Sequence, residues 1–395
     1  MTEAGVVRRI DYLTLGLVAV LGAVGLYVIR AASVSLTFLQ DKMYFVDRQV
    51  LWFVVGGIVA GVLFAIPYTT LAKWSRYIYW FMFGMLAFVL VKGHTALGAS
   101  RWIGTQTLQI QPSEIAKVMI IVTLANLLSR KQSMKRWRDL ISPILHVALP
   151  VVLIIKQPDL GTALVFIAIL AGMLYMAGAP GPRLLLLFGG GLGLAVFWIY
   201  AHLNLTIGGH PIPLPMHTYQ LDRLISFINP NADPLGTGYN VIQSRVAVGT
   251  GGLYGLHHVT TNSQLAFLPE SYTDFIFAVL ANQMGFVGAA AVLFLYFLLV
   301  ARGLFIAANA KDRLGALIAT GVVAMIGFHV LESAGMAIGI MPVAGVPLPF
   351  MSYGGSALMA DAGAIGLLLN VWARREGLVF RVGETRPVVA DAARP

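Results

Sequence analysis

The sequence predicts an all-α polytopic integral membrane protein, a bundle of ten transmembrane helices with a large extracytoplasmic loop. Hydrophobic residues make up 58% of the 395 positions and charged residues only 11%, whereas soluble domains carry about 25% charged residues. Ten apolar runs approach the ~20 residues that cross a bilayer as a helix. Lys and Arg are concentrated in alternate segments between these runs. These observations outweigh the chain length, which alone would suit two or three soluble domains.

The predicted spans lie, in order, at 12–32, 49–68, 77–92, 113–130, 141–157, 162–179, 184–203, 273–300, 314–340 and 355–373. Residues 1–376 are therefore predicted to form a single membrane domain. Within it, residues 203–272 form the extracytoplasmic loop between spans seven and eight. Turn residues combined with aromatic and apolar content predict that this loop is a folded cap with short helices. The polar, Pro-containing residues 377–395 are predicted to be a flexible cytoplasmic tail.

The charge distribution predicts the orientation of the bundle. Eighteen of the 27 Lys and Arg residues fall in the termini and in the loops on one predicted side, so the positive-inside rule places both termini in the cytoplasm. The net charge of +10 is attributed to anionic lipid rather than to nucleic acid. Because the chain has no Cys, disulfides, Cys-ligated zinc and a thiol nucleophile are excluded.

Two carboxylates stand out at the predicted outer edge of the eighth span. Glu270 and Asp274 belong to QLAFLPESYTDFIF, residues 264–277. If this segment is helical, the two acids share a face. An acid at the mouth of a span is costly to keep there, so it is a functional candidate. No basic residue lies within one helical turn of Asp274 in sequence, so any partner must come from elsewhere in the chain.

Other polar residues near the outer edge allow both structural and functional interpretations. Glu114 and Lys117 lie three apart and are predicted to pair, more as a structural than as a catalytic pair. Asp159 suits a helix cap or a site residue, and Trp102 an interfacial anchor or a site residue. Glu332 and Asp361 are intramembrane acids that are predicted to pair inside the bundle. No metal site is predicted, because the spacing of His94, His257 and His258 does not suit one.

The chemistry that fits such an outer pocket is recognition of an amphipathic substrate with an anionic head group. Arginine is suited to bidentate contact with phosphate oxygens, and four candidates are Arg48, Arg101, Arg223 and Arg245. A carboxylate there could act as a general base toward a sugar hydroxyl, and partial desolvation would raise its pKa. From the residues alone, a lipid-linked sugar transferase and a lipid-substrate transporter both remain open.

Six motifs occur in one order along the membrane portion: GASRWI (98–103), QPSEIAK (111–117), QPDLGTA (157–163), DPLGTGYNVIQS (233–244), FLPESYTDFIFAVL (267–280) and GVPLPFMSYGGS (345–356). They resemble the SEDS family of bacterial cell-wall proteins, named for shape, elongation, division and sporulation. The residues of two of these motifs, FLPESYTDFIF and DPLGTGYNVIQS, are closer to the elongation member of the family than to the division member. Two departures are Asn282 with Gln283, where the family usually has acids, and residues 333–336, where it usually has Asn-Ile-Gly-Met.

The resemblance implies a ten-span peptidoglycan glycosyltransferase of the bacterial inner membrane that polymerises lipid II during cell elongation. It implies an extracytoplasmic active site and, as partners, a class B penicillin-binding protein and other elongation-machinery membrane proteins. The family's essential acid falls on Asp274, which is predicted to be the general base. The residues predicted to bind substrate are Arg48, Arg101, Trp102, Glu114, Lys117, Asp159, Arg223, Gln243, Arg245, Glu270 and Ser352.

The lipid diphosphate that would leave in this reaction suggests a divalent cation, Mg or Mn, because diphosphate leaving groups commonly need one. No all-protein metal cage is evident in the sequence. Two alternatives to the transferase are kept: a lipid II flippase, for which Glu332 and Asp361 matter more than Asp274, and a structural scaffold of the cell-wall machinery.

Overall fold

The computed structural model describes residues 10–35, 41, 43–96, 99–104, 109–207, 210–213, 218–256 and 264–375. Within these residues the chain forms thirteen α-helices, two short 3₁₀ helices (Pro230–Ala232 and Gln264–Phe267) and five short strands. The helices are α1 (Tyr12–Ser35), α2 (Tyr44–Ala65), α3 (Tyr68–Lys73), α4 (Ser75–Lys92), α5 (Pro112–Ser129), α6 (Trp137–Lys156), α7 (Leu160–Met176), α8 (Gly181–Asn204), α9 (Thr218–Ile228), α10 (Tyr239–Thr250), α11 (Ile276–Ala308), α12 (Arg313–Ile338) and α13 (Gly355–Ala373). The strands are β1 (His94–Ala96), β2 (Ala99–Gly104), β3 (Gln109–Ile110), β4 (Thr206–Ile207) and β5 (His210–Pro211). The predicted tail, His257 and His258 lie outside the described residues.

The helices confirm a polytopic helical membrane protein. Among the described residues, eight helices are long and apolar enough to cross a membrane: α1, α2, α5, α6, α8, α11, α12 and α13. The third and sixth predicted runs coincide with α4 and α7, which have 18 and 17 residues and are not among these eight. The count of ten spans therefore stays a prediction.

The turn that carries the two candidate acids differs from the sequence prediction. Helix α11 begins at Ile276, not at residue 273. The backbone N–H groups of Thr273 and Phe275 both donate to the Glu270 carbonyl, at 3.2 and 3.1 Å, and Glu270 has a φ of +50°. This turn occupies the positions that a first helical turn would need. The predicted helical face shared by Glu270 and Asp274 is therefore wrong, because both residues precede the helix.

A small antiparallel sheet between α4 and α5 was not predicted. Its strand order is β1-β2-β3. His94 is opposite Trp102, and Ile103 is opposite Ile110. Strands of two to six residues are too short to show a clear alternation of polar and apolar residues in sequence. The sheet matters because β2 carries Arg101 and Trp102.

The segment between α12 and α13 clamps the turn that holds Asp274. It is non-helical over residues 341–354, as its prolines and glycines predict. The Ser352 hydroxyl donates to the Thr273 carbonyl at 2.7 Å and accepts from the Leu348 N–H at 2.8 Å. The Gln49 amide donates to the Ser352 carbonyl at 3.0 Å. Because these polar groups are paired with each other, irregular backbone is tolerated at this position.

A kink in α11 lets the segment that follows α10 pack against that helix. The kink lies at Gly285, whose φ is +66° and ψ −169°. Any side chain there would collide with the backbone nitrogen of Gly255. One turn earlier, the Asn282 amide donates to the Thr250 hydroxyl at 2.9 Å, and the Asn282 carbonyl accepts from the Leu256 N–H at 3.0 Å. The Asn282 side chain, at a position where the family usually has an acid, thus joins α11 to the end of α10 in this chain.

Helices α2 and α13 pack with their backbones close together, and a glycine permits this. A Cβ at Gly366 would lie 2.8 Å from the Ala60 Cα. We expect Gly366→Val to lower the free energy of unfolding by about 1–3 kcal/mol through overpacking. Thermal unfolding in detergent measures the effect. The control is Gly57→Ala on α2, where nothing lies within 4 Å of the added Cβ and a neutral or slightly stabilising result is expected. Equal midpoints for both variants would contradict this packing.

Candidate active site

One cavity, of about 220 Å³, contains the acid that the sequence singled out. Its wall comes from β2, the start of α5, α9, the turn before α11 and the segment leading into α13. Six of the twelve predicted site residues line it: Arg101, Trp102, Glu114, Arg223, Glu270 and Asp274. Residues from five separate segments of the chain therefore meet in one place.

The environment of Asp274 changes the acidity of its carboxyl group. Burial raises its pKa to about 6, the negative charge of Glu270 acts in the same direction, and the positive charges of Arg223 and Arg101 lower it. Such a carboxyl is still mostly ionised at neutral pH, yet it accepts a proton more readily than an ordinary Asp. These are the properties required of a general base. The charge partners of Asp274 thus come from distant segments, as the sequence predicted.

A glycine allows the chain to pass close to this carboxylate. Gly345 has a φ of +71°, and a Cβ at that position would lie 3.0 Å from Asp274 Oδ2. A side chain there would both strain the backbone and crowd the carboxylate. The Pro- and Gly-rich segment before α13 therefore shapes the cavity at its acid.

The Arg101 side chain is held by the residues that precede α7. Its Nε donates to the Gln157 carbonyl at 3.1 Å, and one terminal nitrogen donates to the Pro158 carbonyl. The other terminal nitrogen lies 3.9 Å from Asp159 Oδ1. These contacts fix the guanidinium at the cavity wall, beside the half-buried Trp102.

Asp159 is the N-cap of α7, and its contacts favour the capping alternative that the sequence left open. Its side chain is almost fully buried. It accepts hydrogen bonds from the Thr162 N–H at 3.2 Å, the Thr162 hydroxyl at 2.9 Å, the Gln111 amide at 2.9 Å and the Ser113 hydroxyl at 3.1 Å. With its oxygens engaged in this way, Asp159 links the starts of α5 and α7. Its predicted contact with substrate stays a prediction.

A chain of buried ionisable groups leads from the cavity into the bundle. Glu114 lines the cavity, and its carboxylate lies 2.7 Å from the Lys117 ammonium, which confirms the predicted pair. Lys117 Nζ also lies 3.0 Å from His329 Nε2. An ammonium can only donate, so Nε2 accepts and the ring proton is on Nδ1. That nitrogen lies 3.8 Å from the Asp361 carboxylate.

The two intramembrane acids differ in their surroundings. Asp361 ends the chain of groups just described, so its predicted pairing inside the bundle is matched by the nearby His329. Glu332 is fully buried beside the Ala344 backbone. Within the described part of the chain, no ion pair involves Glu332. Its predicted pairing is therefore not found there.

Arg48 does not line the cavity, but it contacts the wall residue Tyr353. It lies inside α2, because that helix begins at Tyr44 rather than at the predicted residue 49. Its guanidinium lies 4.7 Å from the centre of the Tyr44 ring. It also hydrogen-bonds to Tyr353, which lines the cavity. Arg48 therefore orients a wall residue, and its own contact with substrate stays a prediction.

Five further predicted site residues are not part of the cavity wall. Lys117 lies behind Glu114, and Ser352 and Asp159 make the structural contacts described above. Arg245 donates to the Gly339 carbonyl at 3.2 Å and so holds the end of α12. Gln243 is half-buried on α10. The structure gives four of the five a supporting role, and direct substrate contact stays a prediction for all of them.

Polar wall residues that the sequence did not single out are Gln111, Thr273, Tyr353 and Ser356. The Gln111 N–H donates to the Ser356 hydroxyl at 2.9 Å, which joins the start of α5 to the start of α13. The Thr273 hydroxyl donates to the Glu270 carboxylate at 2.8 Å. All four residues lie inside the motifs that carried the family resemblance, so the motifs contained the signal, but charge alone did not select them.

Glu270 is the cavity carboxylate best suited to hold a divalent cation, because Glu114 is paired with Lys117 and Asp274 has the properties of a base. Among the described residues, no group of three or more His, Asp and Glu side chains is arranged to bind a metal. Mg²⁺ is typically held by one or two carboxylates together with substrate phosphates and water. The donor set therefore fits a cation shared with a bound diphosphate, not one enclosed by protein alone.

Comparison with known proteins agrees with the motifs. The family model described as cell cycle protein, FtsW/RodA/SpoVE, matches residues 9–377. Stage V sporulation protein E of Bacillus subtilis (strain 168) is 36% identical over 367 residues, covering 91% of this chain and 96% of that protein. Peptidoglycan glycosyltransferase MrdB of Escherichia coli (strain K12) is 35% identical over 341 residues, covering 84% of this chain and 86% of that protein.

Solved structures agree in fold. The rod shape determining protein RodA of Thermus thermophilus superposes with a TM-score of 0.68 at 28% identity, covering 93% of this chain and 98% of that chain. A chain from a peptidoglycan synthase complex that coordinates polymerization and crosslinking gives a TM-score of 0.76 at 30% identity, with the same coverage of 93% and 98%. These matches confirm the resemblance to the SEDS family, and the chain belongs to this FtsW/RodA/SpoVE family of cell cycle proteins.

Proposed function

We propose that the protein is a peptidoglycan glycosyltransferase that polymerises lipid II into glycan strands during cell elongation. The observation that carries this proposal is the cavity that combines Asp274, whose carboxyl pKa is about 6, with the guanidinium groups of Arg101 and Arg223. A base beside two cations suits transfer of a sugar from a diphosphate leaving group. The similarity to the peptidoglycan glycosyltransferase MrdB supports the activity. The residues of the motifs support a role in elongation over one in division.

In the proposed reaction, the Asp274 carboxylate takes the proton from the 4-hydroxyl of the acceptor sugar. The acceptor oxygen forms a bond to the anomeric carbon of the lipid-linked donor sugar. The bond between that carbon and the diphosphate oxygen breaks, and the lipid diphosphate leaves with the electron pair. Attack from the face opposite the leaving group gives inversion. Asp274 then releases its proton to water.

Arg101 and Arg223 are the cavity groups that stabilise the negative charge of the leaving diphosphate. Guanidinium groups make paired hydrogen bonds to phosphate oxygens, and charge that develops in a partly water-excluded site is stabilised strongly by fixed cations. Lys117 is engaged by Glu114 and so supports the wall instead. A divalent cation held by Glu270 and the diphosphate oxygens would supply further charge neutralisation when bound, and would leave the Asp274 carboxylate able to accept the proton.

We expect the acid limb of the pH–rate profile to lie near pH 6, because protonated Asp274 cannot accept a proton. Glu270→Gln removes a charge that raises the pKa of Asp274, so the limb should move to lower pH. Arg223→Gln removes a charge that lowers this pKa, so the limb should move to higher pH. Initial rates of glycan formation, measured from about pH 5 to about pH 8, check both shifts. Shifts in the same direction for the two variants would refute the assignment.

A lipid II flippase is the second candidate, and the buried Glu332 is the observation that favours it, because unpaired acids inside spans often mark transport paths. The two functions separate in one experiment. The purified protein is placed in vesicles that contain lipid II, and both glycan products and lipid movement are measured. Glycan strands support the transferase, whereas lipid movement without joined sugars supports the flippase.

The proposed partners and location follow from the same function. A class B penicillin-binding protein would supply crosslinking, and the similar chain from a peptidoglycan synthase complex supports a partner of this kind. Other membrane proteins of the elongation machinery would join them. The proposed location is the bacterial inner membrane, with both termini in the cytoplasm and the cavity open to the outside. The excess of Lys and Arg on one side supports that orientation.

A further inference from the structure

A second cavity lies at the other end of the bundle from the candidate active site. It has a volume of about 340 Å³. Its wall comes from the start of α4, the end of α5, the beginning of the loop that follows α5, and the middle of α6. Helix α5 connects the two cavities: Glu114 at its start lines the first, and Asn126 near its end lines the second. The 18 residues of α5 correspond to about 27 Å. The second cavity is thus on the side that the charge distribution assigns to the cytoplasm.

The inner part of this cavity is an ordered polar surface. The Tyr79 ring stacks on His146, with 4.1 Å between ring centres and an angle of 25°. His146 Nε2 lies 3.0 Å from the Thr123 hydroxyl oxygen. The Asn126 amide donates to the Ser75 hydroxyl. These contacts join α4, α5 and α6 along the cavity wall.

The rim of the cavity is strongly positive. Arg76, Arg130 and Lys131 line it, and no carboxylate does. Arg130 Nε donates to the Asn126 side chain at 3.2 Å, and Lys131 Nζ donates to the Asp139 carbonyl at 2.6 Å. An arginine has five donors and a lysine three, so these orienting contacts leave donors for an anion. Charge complementarity therefore selects a negatively charged ligand.

The remaining wall is apolar, and its aromatic residues are exposed at the surface of the bundle. Trp80 lines the cavity and is exposed, and Tyr77 and Phe81 are exposed on the same helix. A further apolar cavity of about 370 Å³ lies on the surface formed by α4 and α5. It is lined by Trp74, Tyr77, Ile78, Phe81 and Met119. A ligand of this region thus has an anionic head and an apolar chain.

We propose that this cavity binds an anionic phospholipid of the cytoplasmic leaflet. The phosphate is held by Arg76, Arg130 and Lys131, and an acyl chain lies along Trp80 and the exposed aromatic residues of α4. Basic pockets between membrane helices on the cytoplasmic side are known to hold phosphate head groups. The proposal stands apart from the proposed function, because none of these residues lines the candidate active site.

The test uses the full chain in nanodiscs and native mass spectrometry, with phosphatidylglycerol as the probe and phosphatidylcholine as the comparison. Each cation that contacts the phosphate inside the cavity is expected to contribute about fivefold to binding, so the triple variant R76Q/R130Q/K131Q is expected to bind phosphatidylglycerol about 100-fold more weakly. The matched control is K73Q/K135Q/R138Q, which removes the same charge from exposed residues outside the cavity. It is expected to change binding by less than about threefold.

The proposal would be overturned by equal loss in the two triple variants, by equal retention of both lipids by the unaltered protein, or by displacement of the lipid by inorganic phosphate alone. Stronger retention of a polyprenyl diphosphate than of phosphatidylglycerol would instead identify a substrate site and also overturn it. If R76Q/R130Q/K131Q does not fold, R76K/R130K keeps the charge and removes the bidentate contacts. That variant is expected to bind phosphatidylglycerol about tenfold more weakly, and unchanged binding would refute the site.

Discussion

Asp274→Asn is expected to reduce glycan polymerisation from purified lipid II by about 10²–10⁴-fold, the usual value of a single positioned base. The amide has the same shape as the carboxylate but cannot accept the proton of the acceptor hydroxyl. The loss should appear mainly in kcat, because the interaction is made only when the proton moves. Gel analysis of glycan strands from the purified protein, with and without its transpeptidase partner, measures the effect.

Two controls make this result decisive. Glu332→Gln and Asp361→Asn are the same kind of change at buried positions away from the cavity wall. The transferase hypothesis predicts that both retain far more polymerisation than Asp274→Asn. The flippase hypothesis predicts the reverse order in a lipid-movement assay, and a scaffold predicts that Asp274→Asn is harmless. Normal glycan synthesis by a folded Asp274→Asn protein would eliminate the base assignment.

The helical bundle could be predicted because its causes are local. A run of about 20 apolar residues has to form its backbone hydrogen bonds within itself when it crosses lipid, and Lys and Arg near its ends report its orientation. Each described predicted span accordingly coincides with a helix. The predicted start of α11 was wrong because the apolar run begins before the helix does. The residues just before Ile276 belong instead to the turn at Glu270, which is stabilised by its own backbone hydrogen bonds.

The site could be predicted only in part, because its wall is assembled by contacts between distant segments. Arg101 owes its position to a short hairpin and to the Gln157 and Pro158 carbonyls, and neither contact has a local signal. Gly345 approaches Asp274 across 71 positions of sequence, a distance that no periodicity can report. The charged residues in the segments predicted to lie on the outer side indicated a pocket. They did not indicate which of these residues line it.

Motif membership also did not separate wall residues from supporting ones. Ser352 and Asp274 both lie in family motifs, yet Ser352 clamps the turn through backbone groups while Asp274 faces the cavity. The two roles depend on each other, since the position of Asp274 requires the clamp. Residues that hold the base therefore carry as strong a sequence signal as the base itself.

The buried pair behind the cavity leads to the second large prediction: Lys117→Met is expected to lower the free energy of unfolding by about 3–5 kcal/mol. Methionine fills much of the same volume, but it leaves the buried Glu114 carboxylate without its cation at 2.7 Å and His329 without its donor at 3.0 Å. Denaturant titration in mixed micelles measures the loss. Lys73→Met, at an exposed position on α3, is the matched control and should change stability by less than about 0.5 kcal/mol.

A double-mutant cycle shows whether the loss comes from the uncompensated charge. Glu114→Gln removes the carboxylate, so Lys117→Met should cost less in that background, with a coupling of about 0.5–3 kcal/mol between the two positions. If Lys117 acted only by filling space, the two losses would add. Additive losses, or a Lys117→Met protein as stable as Lys73→Met, would show that the pair does not hold the bundle together. Coupled losses would instead mean that the wall of the candidate active site depends on a buried charge pair, in which Glu114 lines the cavity and Lys117 lies one helical turn deeper. Stability and substrate binding could then not be altered independently at Glu114.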